Sequence, residues 1–238
     1  MMLRFFLYCF FVMFSFSVFS QQKFSQKALM GRGDLALEGT SFKLQKETLD
    51  AFNKMKKAAL KEGINIKIVS GYRSFNRQKS IWNRKYNLYI SKRLTPNAAL
   101  QKIIEYSTIP GTSRHHWGTD FDIIDASVKA PKSLLVESNY ENNGVFVKLK
   151  KWMDTHAESF GFYLVYTNNN SRKGFKYEPW HYTYKPLSKQ MLLEFNKIDL
   201  IQFYKNIELD GSQYLTKEFL KKYISDNILD INIDLINN

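Results

Sequence analysis

The spacing of apolar residues over residues 44–184 predicts alternating helices and strands. Apolar positions recur with helical spacing over residues 44–60, and Gly63 stands where that helix would end. Residues 64–68 alternate isoleucine with polar side chains, which is typical of a strand with one buried face. Later segments show the same two periods, predicting helices over residues 75–90, 98–106 and 145–160 and strands over residues 120–124, 162–166 and 178–184.

Composition divides the chain of 238 residues into four parts. Residues 1–20 place Arg4 before an apolar run and are typical of a secretory signal peptide, with an uncleaved membrane anchor as the alternative. Residues 21–43 form a polar lead-in, and residues 44–187 form the main domain. Residues 188–238 are richer in Leu, Ile, Lys and Asn and are predicted to be a helical extension, with helices over residues 188–204 and 216–225. An exported protein, periplasmic or extracellular and associated with the cell wall, is therefore expected.

Cysteine content and net charge limit the possible metal ligands and the expected binding partners. Cys9 is the sole cysteine and lies in the predicted signal peptide, so any zinc must be bound by histidine and carboxylate. The net charge of +13 indicates attraction to anionic surfaces such as cell-wall polymers or acidic lipids. The sequence has no helix-turn-helix, zinc finger or RNA-binding motif, so nucleic acid is not an expected partner.

Two separated motifs contain the residues of a hydrolytic metal site. The pattern S-x-H-x-x-G-x-x-x-D, within residues 110–124, places His115 seven positions before Asp122. Far downstream, Glu178 stands three positions before His181. Three protein ligands leave a coordination position open for water, and a nearby glutamate can take that water's proton. We therefore predict one Zn²⁺ per chain, bound by His115, Asp122 and His181, with Glu178 activating the bound water.

Two neighbouring residues are alternatives or additions to this site. His116 could replace His115, because adjacent side chains point in different directions and only one of the two is expected to bind the ion; His115 is favoured because it is the histidine of the S-x-H-x-x-G-x-x-x-D pattern. Asp120 shares a strand face with Asp122. It would either orient a ligand imidazole or make an ordinary hydrogen bond at the strand end, and both interpretations stay open.

The remaining polar candidates depend on local geometry. On a regular strand Glu178 would lie on the opposite face from His181, so its role requires a bend, which Pro179 favours. Arg73 follows a Ser-Gly-Tyr turn at the end of a predicted strand. Its guanidinium could neutralise an oxyanion or bind a substrate carboxylate.

These motifs together resemble a known enzyme family. Residues 70–73 with Gln78, the S-x-H-x-x-G-x-x-x-D pattern and the Glu-Pro-Trp-His motif of residues 178–181 resemble the LAS-type zinc D-alanyl-D-alanine carboxypeptidases and dipeptidases. This group includes the vancomycin-resistance carboxypeptidase and is similar in fold to the hedgehog signalling domain. The resemblance covers roughly residues 44–184.

The resemblance implies a fold and roles for several residues. It implies an α+β fold in which a small antiparallel sheet, flanked by helices, bears the zinc site. Arg73 would stabilise the substrate and the transition state, Ser113 would hydrogen-bond the substrate, and Gln78 would support the substrate site. Asp120 departs from the family, because many members have alanine at this position.

The implied activity is a D-alanyl-D-alanine carboxypeptidase acting on peptidoglycan stem peptides, in a chain expected to be monomeric. Two alternatives stay open. One is a peptidoglycan endopeptidase of the same zinc family, cutting an L-alanyl-D-glutamate bond or a cross-bridge. The other is a non-catalytic wall-binding module stabilised by zinc, which would need neither Glu178 nor Arg73.

Overall fold

The computed structural model describes residues 24–237, so the predicted signal peptide lies outside the described residues. Within residues 24–237, no helix is both long enough and apolar enough to cross a membrane. The described chain combines helices with two small antiparallel sheets, which confirms the α+β prediction.

Eight α-helices and six strands are found in the described residues. The helices are α1 (Gln26–Leu29), α2 (Lys46–Lys61), α3 (Phe75–Ser91), α4 (Pro96–Ile103), α5 (Val147–His156), α6 (Lys185–Phe195), α7 (Leu200–Tyr204) and α8 (Lys217–Tyr223). The strands are β1 (Leu37–Glu38), β2 (Leu44–Gln45), β3 (Ile66–Ser70), β4 (Asp120–Asp125), β5 (Phe162–Leu164) and β6 (His181–Tyr184). Strands β1 and β2 pair with each other, and the other four form the main sheet.

The main sheet is antiparallel, in the order β3-β4-β6-β5. In the register between its central strands, Asp122 lies opposite His181 and Asp120 lies opposite Thr183. Side chains alternate between the two faces of a strand. The register therefore places these four polar side chains together on one face of the sheet.

On the opposite face of the sheet, apolar side chains pack in a hydrophobic core. Phe121, Ile123 and Tyr182 are buried there with residues of α2 and α5. The alternation predicted for residues 120–123 is confirmed, because Phe121 and Ile123 lie in the core while Asp120 and Asp122 lie on the other face; Ile124 is buried in the same core. Burying the apolar residues on one face determines which way the polar residues point.

Several predicted elements differ from the structure at their boundaries, and three of them differ for a visible structural reason. The strand predicted over residues 178–184 begins only at His181, because a turn precedes it. The helix predicted over residues 188–204 is two helices, and the Asp199 side chain caps the second by accepting a hydrogen bond from the Gln202 amide at 2.9 Å. The α-helical part of residues 145–160 ends at His156, and a 3₁₀ turn completes it.

The C-terminal residues contribute to a second hydrophobic core. This core combines apolar residues of α3 and α4 with those of α6, α7 and α8. Trp82 of α3 is fully buried in it, and its indole N–H donates to the Asp210 carbonyl at 3.0 Å. The extension thus packs directly against helices of the main domain.

Candidate metal centre

His115, Asp122 and His181 meet at one buried point. One potential ligand atom from each residue lies within 4.8 Å of the others. His115 Nε2 is 3.5 Å from Asp122 Oδ2, and His181 Nδ1 is 3.8 Å from Asp122 Oδ1. The two motifs, separated in the sequence, therefore converge in the fold as zinc binding would require.

His115 is oriented by the backbone. It lies in a short 3₁₀ helix, Arg114–Trp117, and its Nδ1 is 2.8 Å from the Gly71 carbonyl oxygen. A carbonyl only accepts, so Nδ1 carries the proton and donates it. The other ring nitrogen, Nε2, faces Asp122.

His181 is held from the opposite side by Asp120. His181 Nε2 lies 3.0 Å from Asp120 Oδ2, while Nδ1 faces Asp122. The same Asp120 oxygen accepts a hydrogen bond from Arg114 Nε at 2.8 Å. Of the two interpretations left open for Asp120, the structure shows the contact with the imidazole.

Electrostatics favour negative carboxylates at this site. Burial raises the pKa of Asp120, but the Arg114 guanidinium and the His181 imidazole outweigh burial and hold that pKa well below its usual range. Burial also lowers the pKa of His181, yet hydrogen bonds to Asp120 and Glu178 raise it to about 10. A proton and a metal ion compete for the same imidazole nitrogen. The carboxylates of Asp120 and Glu178, which stabilise positive charge on the His181 ring, would therefore also stabilise a bound metal cation.

The donor set fits zinc. Asp122 Oδ1 is buried without a hydrogen-bond partner among the described residues, which is unusual for a carboxylate oxygen. It lies beside two imidazoles whose other nitrogens are occupied by Gly71 and Asp120. Two histidines, each with an outer partner, and one aspartate match catalytic zinc sites with three protein ligands.

Glu178 reaches this site through a turn. The His181 amide donates to the Glu178 carbonyl at 3.0 Å, which closes a turn across Pro179 and Trp180. The bend brings Glu178 Oε2 to 2.8 Å from His181 Nδ1. The carboxylate is therefore on the ligand side, as the predicted bend requires.

Arg73 is held beside the same point by two polar side chains. Its guanidinium donates to Gln78 Oε1 at 2.8 Å and to Ser70 Oγ at 3.1 Å. Burial lowers the pKa of Arg73, while Asp122 and Glu178 counteract that effect. The structure places a fixed positive charge at the site.

Gln78, which the resemblance predicts to support the substrate site, lies behind Arg73 in the structure. Its side chain is fully buried, and its amide N–H donates to the Thr108 carbonyl at 2.8 Å. Its carbonyl oxygen accepts from the guanidinium. In the structure it supports Arg73, and it does not border the cavity described next.

A cavity of about 740 Å³ opens over the three converging residues. Arg73, Ser113 and Glu178 border it, so Ser113 lies beside the predicted ligands. Tyr106 and Val136 also border it. A volume of this size is typical of small-molecule and peptide sites.

Comparison with known proteins identifies the family. Residues 41–187, well over half of the chain, match the sequence profile described as VanY, D-alanyl-D-alanine carboxypeptidase. The chain belongs to the VanY family. The resemblance inferred from the motifs is thereby confirmed, and the match includes every predicted site residue.

Two sequence relatives match part of the chain. The chain is 29% identical over 168 residues to the "Putative carboxypeptidase YodJ" of Bacillus subtilis (strain 168), across 69% of this chain and 55% of the relative. It is also 29% identical over 128 residues to a D-alanyl-D-alanine carboxypeptidase of Enterococcus faecalis (strain ATCC 700802 / V583), across 53% of this chain and 42% of the relative. The chain thus spans about half the length of these relatives.

A solved VanY structure shares the fold. It is a variant of the vancomycin-resistance D,D-pentapeptidase VanY from a VanB-type resistance cassette, in complex with Zn(II). The similarity has a TM-score of 0.52 with 25% sequence identity, over 63% of this chain and 79% of that chain. The small antiparallel sheet with flanking helices is therefore the VanY-type fold.

Sequence reasoning missed two residues of this VanY-family site. Arg114 anchors Asp120 and also donates to Thr183 Oγ1 at 3.0 Å, while its guanidinium lies over the Trp117 ring. The Tyr166 ring meets the His181 ring edge-on, with centroids 5.1 Å apart. Arg114 lies inside the histidine motif, so its position in the sequence could have indicated a role at the site, whereas nothing in the sequence around Tyr166 indicates one.

His116 has a structural role in this chain. Its Nδ1 contacts the Arg73 carbonyl, and its Nε2 accepts the Gly111 amide N–H at 3.1 Å. Burial lowers the pKa of His116 to about 3, so the ring is neutral. Both nitrogens are occupied by backbone groups, which leaves His115 as the histidine that faces Asp122.

Asp120→Asn should weaken zinc binding. An outer partner that orients a ligand imidazole typically contributes ~10–100-fold in metal affinity. We expect a loss in that range by competition with a chromophoric chelator. Asp125→Asn, at the other end of β4, is the matched control and should bind zinc like the wild type. Unchanged affinity in Asp120→Asn, with only a lower melting temperature, would reduce Asp120 to a structural residue.

Proposed function

We propose that the chain is a zinc-dependent D-alanyl-D-alanine carboxypeptidase that removes the terminal residue of peptidoglycan stem peptides. The observation that carries the proposal is the convergence of His115, Asp122 and His181 in a cavity that also contains Glu178 and Arg73. Membership of the VanY family supports the reaction type. A wall-binding module would need the three ligands, but not the acid and the guanidinium beside them.

Glu178 is the proposed general base. A zinc ion bound by the three ligands would polarise the scissile carbonyl and lower the pKa of water. Glu178, 7% exposed and on the ligand side of the turn, would accept the proton of the attacking water. It would then deliver that proton to the leaving amine, which restores the carboxylate for the next cycle.

Arg73 and Ser113 are the proposed substrate-orienting residues. A carboxypeptidase must recognise a free terminal carboxylate or stabilise an oxyanion, and a fixed guanidinium suits both. Gln78 and Ser70 hold two of the guanidinium nitrogens of Arg73. Ser113 borders the same cavity and would hydrogen-bond the end of the substrate.

Cellular context extends the proposal. We place the chain outside the cytoplasm, because the apolar run before residue 20 is typical of a signal peptide. The net charge of +13 would favour contact with anionic wall polymers or membrane surfaces. We propose one zinc ion per chain, since the three ligands come from one chain, and we propose that the chain is a monomer.

Mass spectrometry of digested muropeptides tests the proposed reaction. Purified full-length chain with zinc should convert pentapeptide stems to tetrapeptide stems, with the mass loss of one alanine. Removal of a longer stem fragment or cleavage of a cross-bridge would instead assign the endopeptidase activity. Zinc binding with no change in any muropeptide would indicate the non-catalytic wall-binding module.

A further inference from the structure

The loop of residues 109–112 is a buried segment without regular structure. It connects the region after α4 to Ser113 and the 3₁₀ helix that bears His115. All residues from 107 to 125 are buried. Buried backbone groups outside helices and strands need other hydrogen-bond partners, because an unpaired one is costly.

Two tyrosines supply such partners. The Ile109 amide donates to the Tyr223 hydroxyl at 3.1 Å, and that hydroxyl lies 2.8 Å from Thr112 Oγ1. Thr112 Oγ1 donates to the Ile109 carbonyl at 2.8 Å, so Tyr223 is the donor to Thr112. Separately, the Tyr204 hydroxyl donates to the Pro110 carbonyl at 2.7 Å. The phenols therefore pair backbone groups at Ile109 and Pro110.

Both tyrosines lie outside the family match, which ends at residue 187. Tyr204 belongs to α7 and Tyr223 to α8, and both are buried in the second core. The Tyr223 ring also meets Phe175 edge-on, with centroids 6.2 Å apart, and Phe175 borders the cavity. The C-terminal extension thus touches the cavity wall and the loop.

We propose that the extension is a positioning element of the active site, with Tyr223 as its principal residue. Tyr223 acts through the loop of residues 109–112. The expected effect on the reaction rate rests on the proposed function. Losing the hydroxyl would leave the Ile109 amide unpaired and would relax the loop that delivers Ser113 and His115. A misplacement of about 1 Å at reacting groups can cost ~10²-fold in rate.

Kinetics of Tyr223→Phe in the full chain, at saturating zinc, give the first test. We expect kcat/KM on a pentapeptide muropeptide to fall at least about tenfold, mainly through kcat, with bound zinc still at one equivalent. Tyr214→Phe is the matched control, because its hydroxyl makes no hydrogen bond to any residue from 24 to 237. A kcat/KM within twofold of the wild type in Tyr223→Phe would overturn the proposal.

A double variant tests the route through the loop. Thr112→Val removes the hydroxyl that Tyr223 contacts, so the two changes disrupt one network. Coupled residues give non-additive effects. We expect the double variant to lose little more activity than the worse single variant. Independent multiplicative losses would show that Tyr223 does not act through Thr112, and would contradict the mechanism.

Amide hydrogen exchange separates this inference from the proposed function. In Tyr223→Phe, peptides covering residues 107–116 should exchange faster than in the wild type, whether or not the chain cleaves muropeptides. If the wild type cleaves no muropeptide but Tyr223→Phe still exchanges faster than the wild type, the proposed function is wrong and the positioning role is retained. Unchanged exchange in residues 107–116, in a folded variant, would overturn the positioning role itself.

Discussion

Replacing Glu178 by glutamine should lower kcat by roughly 10²–10⁴-fold while zinc binding is retained. Glutamine keeps the size of the side chain but cannot accept a proton from the attacking water. The turn across Pro179 and Trp180 does not depend on the carboxylate, because the backbone closes it. Steady-state kinetics on a pentapeptide muropeptide, with zinc content measured on the same sample, give the result.

The matched control for this variant is Glu158→Gln. Glu158 is exposed, lies in the 3₁₀ turn Ala157–Phe160 and does not border the cavity. Its kcat should equal that of the wild type. A Glu178→Gln enzyme with wild-type kcat would remove Glu178 from the mechanism, whereas loss of zinc would show that the carboxylate serves the metal instead.

Replacing His115 by alanine should abolish stoichiometric zinc binding and with it all measurable hydrolysis. The substitution removes one of three ligands, and the remaining two cannot form the site alone. The affinity loss should therefore exceed the ~10–100-fold typical of an outer partner such as Asp120. Zinc per chain after dialysis, measured by inductively coupled plasma mass spectrometry, should fall from one to near zero.

His156→Ala is the control for histidine removal. His156 ends α5 and packs on Trp152, with ring centroids 4.8 Å apart, and it does not border the cavity over the ligands. It should retain one zinc per chain. Full zinc occupancy in a folded His115→Ala protein would show that the metal is bound elsewhere.

The polar face of the sheet follows from the sequence, but the meeting of its strands does not. Alternation along β4 places Asp120 and Asp122 on one side and Phe121 on the other, because the apolar side must be buried. That Asp122 lies opposite His181 is a matter of register between strands far apart in sequence. The residues of the two motifs predict that both contribute to one metal site, but they do not predict the register between the strands.

Contacts that depend on the chain path escaped sequence reasoning. The sequence favours the bend at Pro179 that brings Glu178 to the ligand side, but it does not indicate the resulting contact between Glu178 Oε2 and His181 Nδ1. Tyr223 reaches the loop of residues 109–112 across more than a hundred positions. Such contacts arise from helix packing. Apolar periodicity predicts that one face of a helix is buried, but not which element packs against it.

The most direct test of the metal centre is anomalous diffraction at the zinc edge from crystals of the full chain grown with zinc. The account predicts one strong anomalous peak bound by His115 Nε2, a carboxylate oxygen of Asp122 and His181 Nδ1. A peak elsewhere, or none beside these three side chains in a crystal grown with zinc, would contradict it.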